Sequence, residues 1–359
     1  MEASSTALVT PELISRGEDP PNLEMPFSTL DEWITPNEQF YVRCHFPIPE
    51  IDAGSWRLTV EGAVASPLEL SLDDLRDLPV HTVVATLECA GNGRSFLQPR
   101  AKGLAWDTGA VGNARWTGVL LRDVLERAGL RGDAVEVILE GADRGMVKDT
   151  PRPPCEIHYA RGVPLAKARA DVLLAFAMND EPLTPEHGFP LRVVVPGWFG
   201  MASVKWLQRV VVTDAPFNGY YQSIDYTCWE ERHGVPTLVP LAEMKLKAQI
   251  ARPAMHEVVE ADTLYRVHGA AWAANVPVAA VEVSSDGGRS WAAAELLGEP
   301  VENAWRFWQF EWQTPGVPGR CTLIARAVDA NGRTQPARRV QEHGTYVINH
   351  WLPVEVDVR

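Results

Sequence analysis

The segment HTVVATLECAGNGRS, residues 81–95, joins a strand-like run to a turn that carries a thiol. β-Branched residues dominate HTVVATLE, which predicts a β-strand over those positions. The remainder, CAGNGRS, is rich in turn-forming residues, and Gly91 and Gly93 let backbone N–H groups approach a ligand closely. The segment therefore predicts Cys89 at the end of a strand, with the cationic Arg94 five residues further on.

The segments around this strand mix strand and helix patterns. WRLTVEGAV alternates as a strand, and SLDDLRDLP begins with Ser71 as the N-cap of a short helix. TGVLLRDVLERAGLRG has helical spacing that can end at Gly129 or Gly132. VEVILEGAD, ADVLLAFAM, LRVVVPG and VKWLQRVVVTD predict further strands between Pro- and Gly-rich turns. We therefore expect a mixed α+β domain over residues 31–240, preceded by an extended arm over residues 1–30.

The pattern changes after Pro240, where helical periodicity disappears. TLYRVHGAAW, VAAVEVSSDGGRSW, WRFWQFEWQTPG and CTLIARAVDANGRTQP follow at strand-and-turn spacing. Asp-Gly at 286–287 and Asn-Gly at 331–332 stand between apolar runs and favour tight hairpin turns. Residues 241–359 are therefore predicted to form an all-β, immunoglobulin-like sandwich. Six tryptophans fall in this part, and core packing explains them better than a ligand platform.

Composition and charge restrict the classes of partner. The chain has 359 residues, of which 46% are hydrophobic and 22% charged, so it can bury a substantial core. Its formal net charge of −14 repels polyanions and argues against nucleic acid. A small anionic substrate is compatible with this charge only if arginines gather locally in a pocket.

Targeting signals and cysteine usage bear on the compartment. The first residues show no basic, apolar or twin-arginine export signal, and no apolar run is long enough to predict a membrane span. The five cysteines (Cys44, Cys89, Cys155, Cys228 and Cys321) are widely spaced and include no CxxC pair, which argues against a disulfide framework. These features predict a cytoplasmic protein, or a periplasmic one if a signal preceded this sequence.

On residue type alone, Cys89 has two interpretations. A thiol near positive charge or a metal is easily deprotonated, and a thiolate is the soft ligand that a redox metal selects. A single cysteine is also commonly a small, buried apolar side chain. Residue type alone favours the second interpretation.

Several separated segments together resemble the sulfite oxidase family of molybdenum enzymes. They are FYVRCHFPIP (40–49), TLECAGNGRS (86–95), GLAWDTGAVGNARWTGVLLRDVL (103–125), GAD (141–143) and EHGFPLRVVVPGWFGMASVKWL (186–207). The resemblance covers nearly the whole chain. It implies a mixed α+β molybdopterin-binding domain followed by an immunoglobulin-like domain used for dimerisation. It also implies one molybdenum–molybdopterin per chain, with Cys89 as the protein's thiolate ligand to the metal.

The resemblance assigns further residues to the substrate side of the metal. Arg43 matches the family arginine that reaches the anionic substrate, and Arg94 is expected to assist it. A guanidinium suits sulfite because it is permanently charged and offers forked donors to oxyanions. Trp106 matches the tryptophan that lines the substrate pocket, and Tyr226 is the candidate for the family's active-site tyrosine.

The other residues that match family motifs are cofactor contacts. The cofactor ends in a phosphate, so its pocket needs cations and hydrogen-bond donors. Asp143 matches an acidic residue that accepts hydrogen bonds from pterin nitrogens. The remaining matches are His45, His187, Arg192, Ser203 and Lys205.

The resemblance implies oxidation of sulfite to sulfate by oxo transfer at this centre. No histidine pair of a haem module is seen, so we expect no haem and a separate electron acceptor, either a cytochrome or oxygen. The expected partners are thus a small anion, this acceptor and a second copy of the chain, with no nucleic acid and no membrane span.

Three departures from the animal and plant pattern leave alternatives open. Gly93 stands where those relatives have a second arginine, Cys44 replaces an asparagine, and the C-terminal TYVINHWLPVEVDV lacks an arginine of their substrate pocket. The same cofactor acting in sulfoxide or nitrate reduction is therefore a second hypothesis. A non-catalytic binding protein is a third, and intact Cys89, Arg43 and His45 argue against it.

Overall fold

The computed structural model describes residues 12–359, which form mostly β-structure. The strands of the first part are β1 Ile14–Gly17, β2 Asn22–Glu24, β3 Val42–Arg43, β4 Leu58–Gly62, β5 Leu68–Leu70, β6 Val80–Glu88, β7 Val111–Leu120, β8 Glu136–Gly145, β9 Ile157–Pro164, β10 Leu173–Met178, β11 Glu181–Pro182, β12 Arg192–Val194, β13 Leu207–Thr213, β14 Thr227–Arg232 and β15 Val235–Pro240. Those of the last part are β16 Lys247–Arg252, β17 Val258–Val259, β18 Leu264–Trp272, β19 Val278–Ser284, β20 Ala292–Ala293, β21 Glu295–Leu296, β22 Arg306–Gln313, β23 Gly319–Asp329 and β24 Val354–Val358.

Helices are few and short in the described part of the chain, so the predicted α+β class needs correction towards β. The α-helices are α1 Leu72–Arg76, α2 Leu121–Ala128, α3 Leu165–Ala170 and α4 Tyr220–Ser223. The helical spacing of TGVLLRDVLERAG overstated α2, because Thr117 to Leu120 belong to β7. Their β-branched and apolar side chains satisfy a buried strand as well as a helix face.

Ser71 and Gly129, predicted to begin and to end helices, lie at the start of α1 and at the end of α2. The Ser71 side chain accepts a hydrogen bond from the Asp74 backbone N–H, and the Asp74 side chain accepts one from the Ser71 backbone, which closes a capping box at the start of α1. Helix α2 ends at Gly129, whose φ is +72°. That conformation is accessible to glycine at little cost.

Two five-stranded sheets form the first part of the chain. One has the order β11-β10-β7-β6, with β12 also paired to β10, and the other has the order β5-β4-β13-β8-β9. Their apolar faces contribute to one large buried cluster that includes Leu58, Val119 and Val210. The arm residues contribute to a separate three-stranded sheet of order β1-β2-β3, in which β2 pairs with β3. The boundaries drawn at residues 30 and 240 stay predictions.

Two further sheets pack face to face in the last part of the chain. Their orders are β16-β18-β22-β21 and β17-β24-β23-β19-β20. Apolar side chains from both enclose one core. Gly287 and Gly332 take φ of +74° and +77° in the predicted Asp-Gly and Asn-Gly turns. Core packing is confirmed for four of the six tryptophans, which are at most 4% exposed: Trp272, Trp305, Trp308 and Trp312.

Within residues 12–359, no helix is long and apolar enough to cross a membrane.

Candidate active site: a buried thiol between two cavities

Cys89 lies directly beyond the end of a long strand, as the sequence predicts. Strand β6 pairs with β7 up to Glu88 opposite Val111. The next residue, Cys89, therefore lies beside Ala110, and its backbone N–H donates to the Ala110 carbonyl at 2.9 Å. The chain then turns, and the Asn92 N–H donates to the Cys89 carbonyl at 2.9 Å. The strand pairing before Cys89 and the turn after it thus fix the direction in which the thiol points.

The first cavity beside Cys89, here called the inner cavity, spans about 610 Å³ including space open to solvent. Nine of the eleven residues singled out in the sequence line it: Arg43, His45, Cys89, Asp143, His187, Arg192, Ser203, Lys205 and Tyr226.

The second cavity, here called the outer cavity, has a volume of about 1220 Å³ and touches the inner one at shared residues. Arg43, Cys89 and Tyr226 line both cavities. Arg94 and Trp106 line only the outer one. The fold therefore brings all eleven predicted residues to two adjoining cavities, with the thiol on their common wall.

Four cations around these cavities lack an acidic partner. Among the described residues, Arg43, Arg94, Arg192 and Lys205 form no salt bridge. Burial lowers the pKa of Arg192 to about 10 and lowers that of Lys205. These shifts express the cost of holding positive charge away from water, which for Lys205 the nearby Cys44 and Asp143 offset only in part. An anion bound between these groups would remove that cost.

Backbone carbonyls orient the two cations of the inner cavity. Arg192 donates to the His187 carbonyl at 2.9 Å and the Ser203 carbonyl at 3.3 Å. Lys205 donates to the Glu186 carbonyl at 2.7 Å and lies 3.3 Å from the Cys44 sulfur. Neutral carbonyls fix the positions of both side chains while leaving their charge uncancelled, as an anion-binding pocket requires.

The neighbouring His187 and Ser203 are held by hydrogen bonds. His187 Nε2 lies 3.0 Å from the Asn37 carbonyl, and burial lowers its pKa to about 4, so the ring is neutral. The Ser203 hydroxyl accepts the Val195 N–H at 3.1 Å. These two side chains can add neutral hydrogen bonds to the charges of Arg192 and Lys205.

Backbone carbonyls also hold the Arg94 side chain on the wall of the outer cavity. Its side chain donates to the Thr345 carbonyl at 3.0 Å and to the Leu104 carbonyl at 2.9 Å. A Cβ at Gly91 would lie 2.5 Å from its guanidinium nitrogen, so this glycine makes room for the charge. The Gly91 of the CAGN motif therefore has a packing reason besides its backbone freedom.

Two buried polar atoms, on residues that line these cavities, have no partner in the described structure. They are Asp143 Oδ1 and the Trp106 indole nitrogen. Asp143 lies where the pairing of β8 with β9 shifts register, and Gly141 is needed there because its Cβ would lie 2.6 Å from Asp143 Oδ1. Burial raises the pKa of Asp143 to about 7. A ligand that donates to Asp143 would satisfy the first atom, and a substrate oxygen would satisfy the second.

The residues present thus fit the molybdopterin that the resemblance implies. Cys89 can supply a thiolate to the metal, Asp143 an acceptor for pterin N–H groups, and Arg192 and Lys205 charge for the terminal phosphate. Arg43 lies between the two cavities, where it can reach a substrate at the metal. Each role is a prediction that rests on this chemical match.

Tyr226 and His45 form a pair on the wall next to Arg43. The Tyr226 hydroxyl and His45 Nε2 share a hydrogen bond of 2.6 Å, and the His45 ring stacks on Tyr159 at 4.4 Å. Burial and the charges of Arg43 and Lys205 lower the pKa of His45, so its ring is neutral. Tyr226 has φ of +48°, a conformation that bulky residues rarely adopt and that clusters at functional sites.

The structure adds residues that the sequence analysis missed. Tyr41, Tyr159 and Trp206 line the inner cavity, and Tyr346 and Asp225 line the outer one. Tyr41 stands within the quoted FYVRCHFPIP, so its motif could have indicated it. Trp206 likewise stands within the quoted EHGFPLRVVVPGWFGMASVKWL. Nothing local indicates Tyr159, Tyr346 or Asp225. The Tyr346 hydroxyl donates to the Asp225 carboxylate, and the Tyr346 ring packs at a tilt against that of Tyr226, with 5.0 Å between ring centroids. These contacts join residues that are 121 and 120 positions apart in the sequence.

Comparison with known proteins identifies the family of the chain. A family described as "Oxidoreductase molybdopterin binding domain" matches residues 45–221, and one described as "Mo-co oxidoreductase dimerisation domain" matches residues 239–359. The chain is 39% identical to mitochondrial sulfite oxidase of Rattus norvegicus, over 91% of this chain and 62% of that protein. It is 32% identical to sulfite oxidase of Arabidopsis thaliana, over 91% of this chain and 88% of that protein.

A solved structure shares the whole arrangement. The crystal structure of the sulfane dehydrogenase SoxCD from Paracoccus pantotrophus matches with a TM-score of 0.82 and 26% identity, over 99% of this chain and 92% of that one. The chain spans 62% of the length of the rat relative, whereas it covers most of the plant protein. The family resemblance of the motif segments is therefore confirmed: the chain belongs to the sulfite oxidase family of molybdopterin-dependent oxidoreductases.

Proposed function

We propose that this protein oxidises sulfite to sulfate at a Cys89-ligated molybdenum–molybdopterin centre and passes the electrons to an external acceptor. One observation carries the proposal. Four cations that form no salt bridge within residues 12–359 line two adjoining cavities that share Cys89, in a chain whose net charge is −14. Such a pocket opposes the field of the whole protein, and a small anion together with an anionic cofactor explains it.

The reaction consumes one sulfite and one water and yields sulfate, two protons and two electrons. When bound, the cofactor supplies the transferable oxygen and accepts the electron pair. Arg43 and Arg94 hold the oxyanion through charge-assisted hydrogen bonds. The Trp106 N–H and the Tyr226 hydroxyl add neutral donors on the same wall, so the substrate's orientation is set by four groups from separate segments.

Metal analysis combined with an activity assay tests the proposal. Purified wild type should contain about one molybdenum per chain, since a single thiolate serves one metal, and sulfite should drive reduction of ferricyanide. Cys89→Ser should lose molybdenum and this activity, because a hydroxyl is a poor substitute for a thiolate. Cys228→Ser is the matched control, since Cys228 is also buried but lines neither cavity. Wild type without molybdenum would refute the proposal.

A sulfane substrate is a second candidate. The outer cavity has room for a substrate larger than sulfite, and the Asp225 carboxylate on its wall disfavours a small dianion. The sulfane dehydrogenase SoxCD shares the fold over almost the full chain. Steady-state assays with sulfite, a cysteine-persulfide peptide, nitrate and methionine sulfoxide would separate this candidate from the first and from the reductive alternatives. Turnover of the persulfide peptide with no turnover of sulfite would favour the sulfane reaction.

We further propose that the last part of the chain is an immunoglobulin-like domain through which two copies associate. Its two packed sheets and the match to a dimerisation domain support this. A separate redox protein such as a cytochrome would then receive the electrons. Analytical ultracentrifugation of the purified protein tests the association, and a monomer at micromolar concentration would refute it.

A further inference from the structure

A buried polar cluster lies behind the Cys89 turn and joins it to the C-terminal sheets. Its members are Glu88, Asn92, Lys247 and Trp272, none more than 4% exposed. Glu88 and Asn92 flank Cys89 in the chain, whereas Lys247 begins β16 and Trp272 ends β18. The last two lie opposite each other in the paired strands. The cluster, here called the Glu88 cluster, therefore connects two parts of the fold at one point.

One ammonium and one carboxylate organise this cluster. Lys247 Nζ donates to Glu88 Oε1 at 2.8 Å and to the Asn92 carbonyl at 3.3 Å. Glu88 also accepts from the Trp272 indole N–H at 2.9 Å and from the Asn92 amide at 3.1 Å. Lys247 thus binds the residue before Cys89 and the residue three after it. Both ends of the short segment that carries the thiol are held by a single side chain.

The other polar atom of the cluster completes the attachment. Asn92 Oδ1 accepts the Ala110 N–H at 3.2 Å, and the Ala110 carbonyl accepts the Cys89 N–H at 2.9 Å. None of Glu88, Lys247 and Trp272 lines the inner or the outer cavity. The cluster therefore acts on Cys89 through the backbone and touches neither cofactor nor substrate.

Stability alone does not account for such a group. The side chains of Glu88 and Lys247 are only 4% and 2% exposed, so both charges have lost their water. A buried ion pair generally stabilises a fold no more than apolar side chains of the same size would. Its advantage is directional, because a charge held by several hydrogen bonds has one geometry.

We propose that Lys247 and Trp272 are positioning residues for Cys89: from the C-terminal sheets they hold the turn so that the thiol points to the common wall of the two cavities. This inference deepens the proposed function and rests on Cys89 being the metal ligand. It assigns the C-terminal sheets a part in the geometry of the metal site, besides any association between copies.

Two tryptophans offer a matched pair of variants. Trp272→Phe removes the indole donor to Glu88. Trp305→Phe removes a donor from an equally buried tryptophan, 1% exposed, whose N–H donates to the Trp33 carbonyl at 2.9 Å. The Trp305 ring lies 6.5 Å from that of Trp272 but makes no hydrogen bond to Glu88, so this control tests the loss of packing without the loss of that bond. A double variant, Glu88→Gln with Lys247→Met, removes both charges without leaving either one buried and unpaired.

The readout is alkylation of individual cysteines by iodoacetamide in the full-length purified protein, followed by peptide mass spectrometry. Loss of hydrogen bonds to a buried charge should raise the alkylation rate of Cys89 about tenfold in Trp272→Phe and in the double variant. Cys44, buried beside the inner cavity, is the internal reference and should keep its rate. Trp305→Phe should leave both rates unchanged.

The electron paramagnetic resonance spectrum of the half-reduced metal gives a second readout on molybdenum-loaded protein. A shifted spectrum in Trp272→Phe and an unshifted one in Trp305→Phe is the expected result. Equal acceleration of Cys89 and Cys44 would mean general loosening and would overturn the proposal, as would an unchanged Cys89 rate. If wild type held no molybdenum, the proposed function would fail, yet the ratio of the two alkylation rates would still decide the positioning role.

Discussion

Replacing Arg43 with methionine removes one charge and two hydrogen bonds from the boundary between the two cavities. Arg43 donates to Asn22 Oδ1 at 3.2 Å and to the Cys44 carbonyl. Asn22 Oδ1 also accepts the Cys44 N–H at 3.1 Å, so it keeps a partner in the variant. Methionine retains most of the aliphatic stem, and the fold should therefore persist.

The magnitude follows from the contact that the substrate would lose. Hydrogen bonds to a charged group contribute about 1.5 to 3 kcal/mol. Since each 1.4 kcal/mol is about a tenfold change in affinity, KM for sulfite should rise roughly ten- to a hundredfold. Arg94 remains in the outer cavity and should retain part of the binding. Arg43→Lys should give a smaller rise, because it keeps the charge and loses the fork of donors.

Steady-state reduction of ferricyanide by sulfite at constant ionic strength measures this change, with rates normalised to molybdenum content. Constant ionic strength matters because salt screens the attraction between substrate and pocket. A variant with normal molybdenum content and an unchanged KM would remove Arg43 from the substrate site. If Arg43→Lys and Arg43→Met raised KM equally, the positive charge by itself would contribute nothing to binding, and the loss would come from the forked donors alone.

Three further outcomes follow from local features. Asp143→Asn should raise the melting temperature of cofactor-free protein above pH 7 and leave it unchanged near pH 4. Burial raises the pKa of the folded Asp143 carboxyl to about 7, so between about pH 4 and pH 7 the folded protein binds more protons than the unfolded one. The stability of the wild type therefore falls as the pH rises through this range, whereas that of the asparagine variant does not. Thermal unfolding across pH checks this, and a pH-independent difference would contradict it. Gly91→Ala should raise KM for sulfite with molybdenum content retained, because the new Cβ would lie 2.5 Å from the Arg94 guanidinium. A normal KM would show that Arg94 has room to move. Ser71→Ala should lower the free energy of unfolding by about 1 kcal/mol, measured in urea, without affecting turnover, because it opens the α1 capping box.

Local chemistry was enough to predict the position of Cys89 and the start of α1. A β-branched run followed by glycines ends a strand wherever it occurs, and a serine before an acidic turn caps a helix. The motif segments added the family and, with it, residues such as Arg192 and Lys205 that no local pattern would have connected. They were predictable because each stands next to other residues of its own motif.

The balance of strand and helix was not readable from periodicity. Residues 117–120 were expected in a helix and belong to β7, because their β-branched and apolar side chains are buried in either element and only the partner strands β6 and β10 decide between them. The same limit applies to Tyr346 and Asp225, whose contact joins distant segments at the outer cavity.

The sequence by itself determined which chemical groups the protein has: one thiol at a strand end, several cations in motif segments and a change of pattern after Pro240. Only the tertiary structure decided how those groups meet. It placed the cations without acidic partners, left Asp143 Oδ1 without a donor and brought Lys247 behind the Cys89 turn, 155 positions away from Asn92. The reason is physical, because burial, charge compensation and hydrogen-bond geometry depend on distances in space that a chain acquires only when its strands pair.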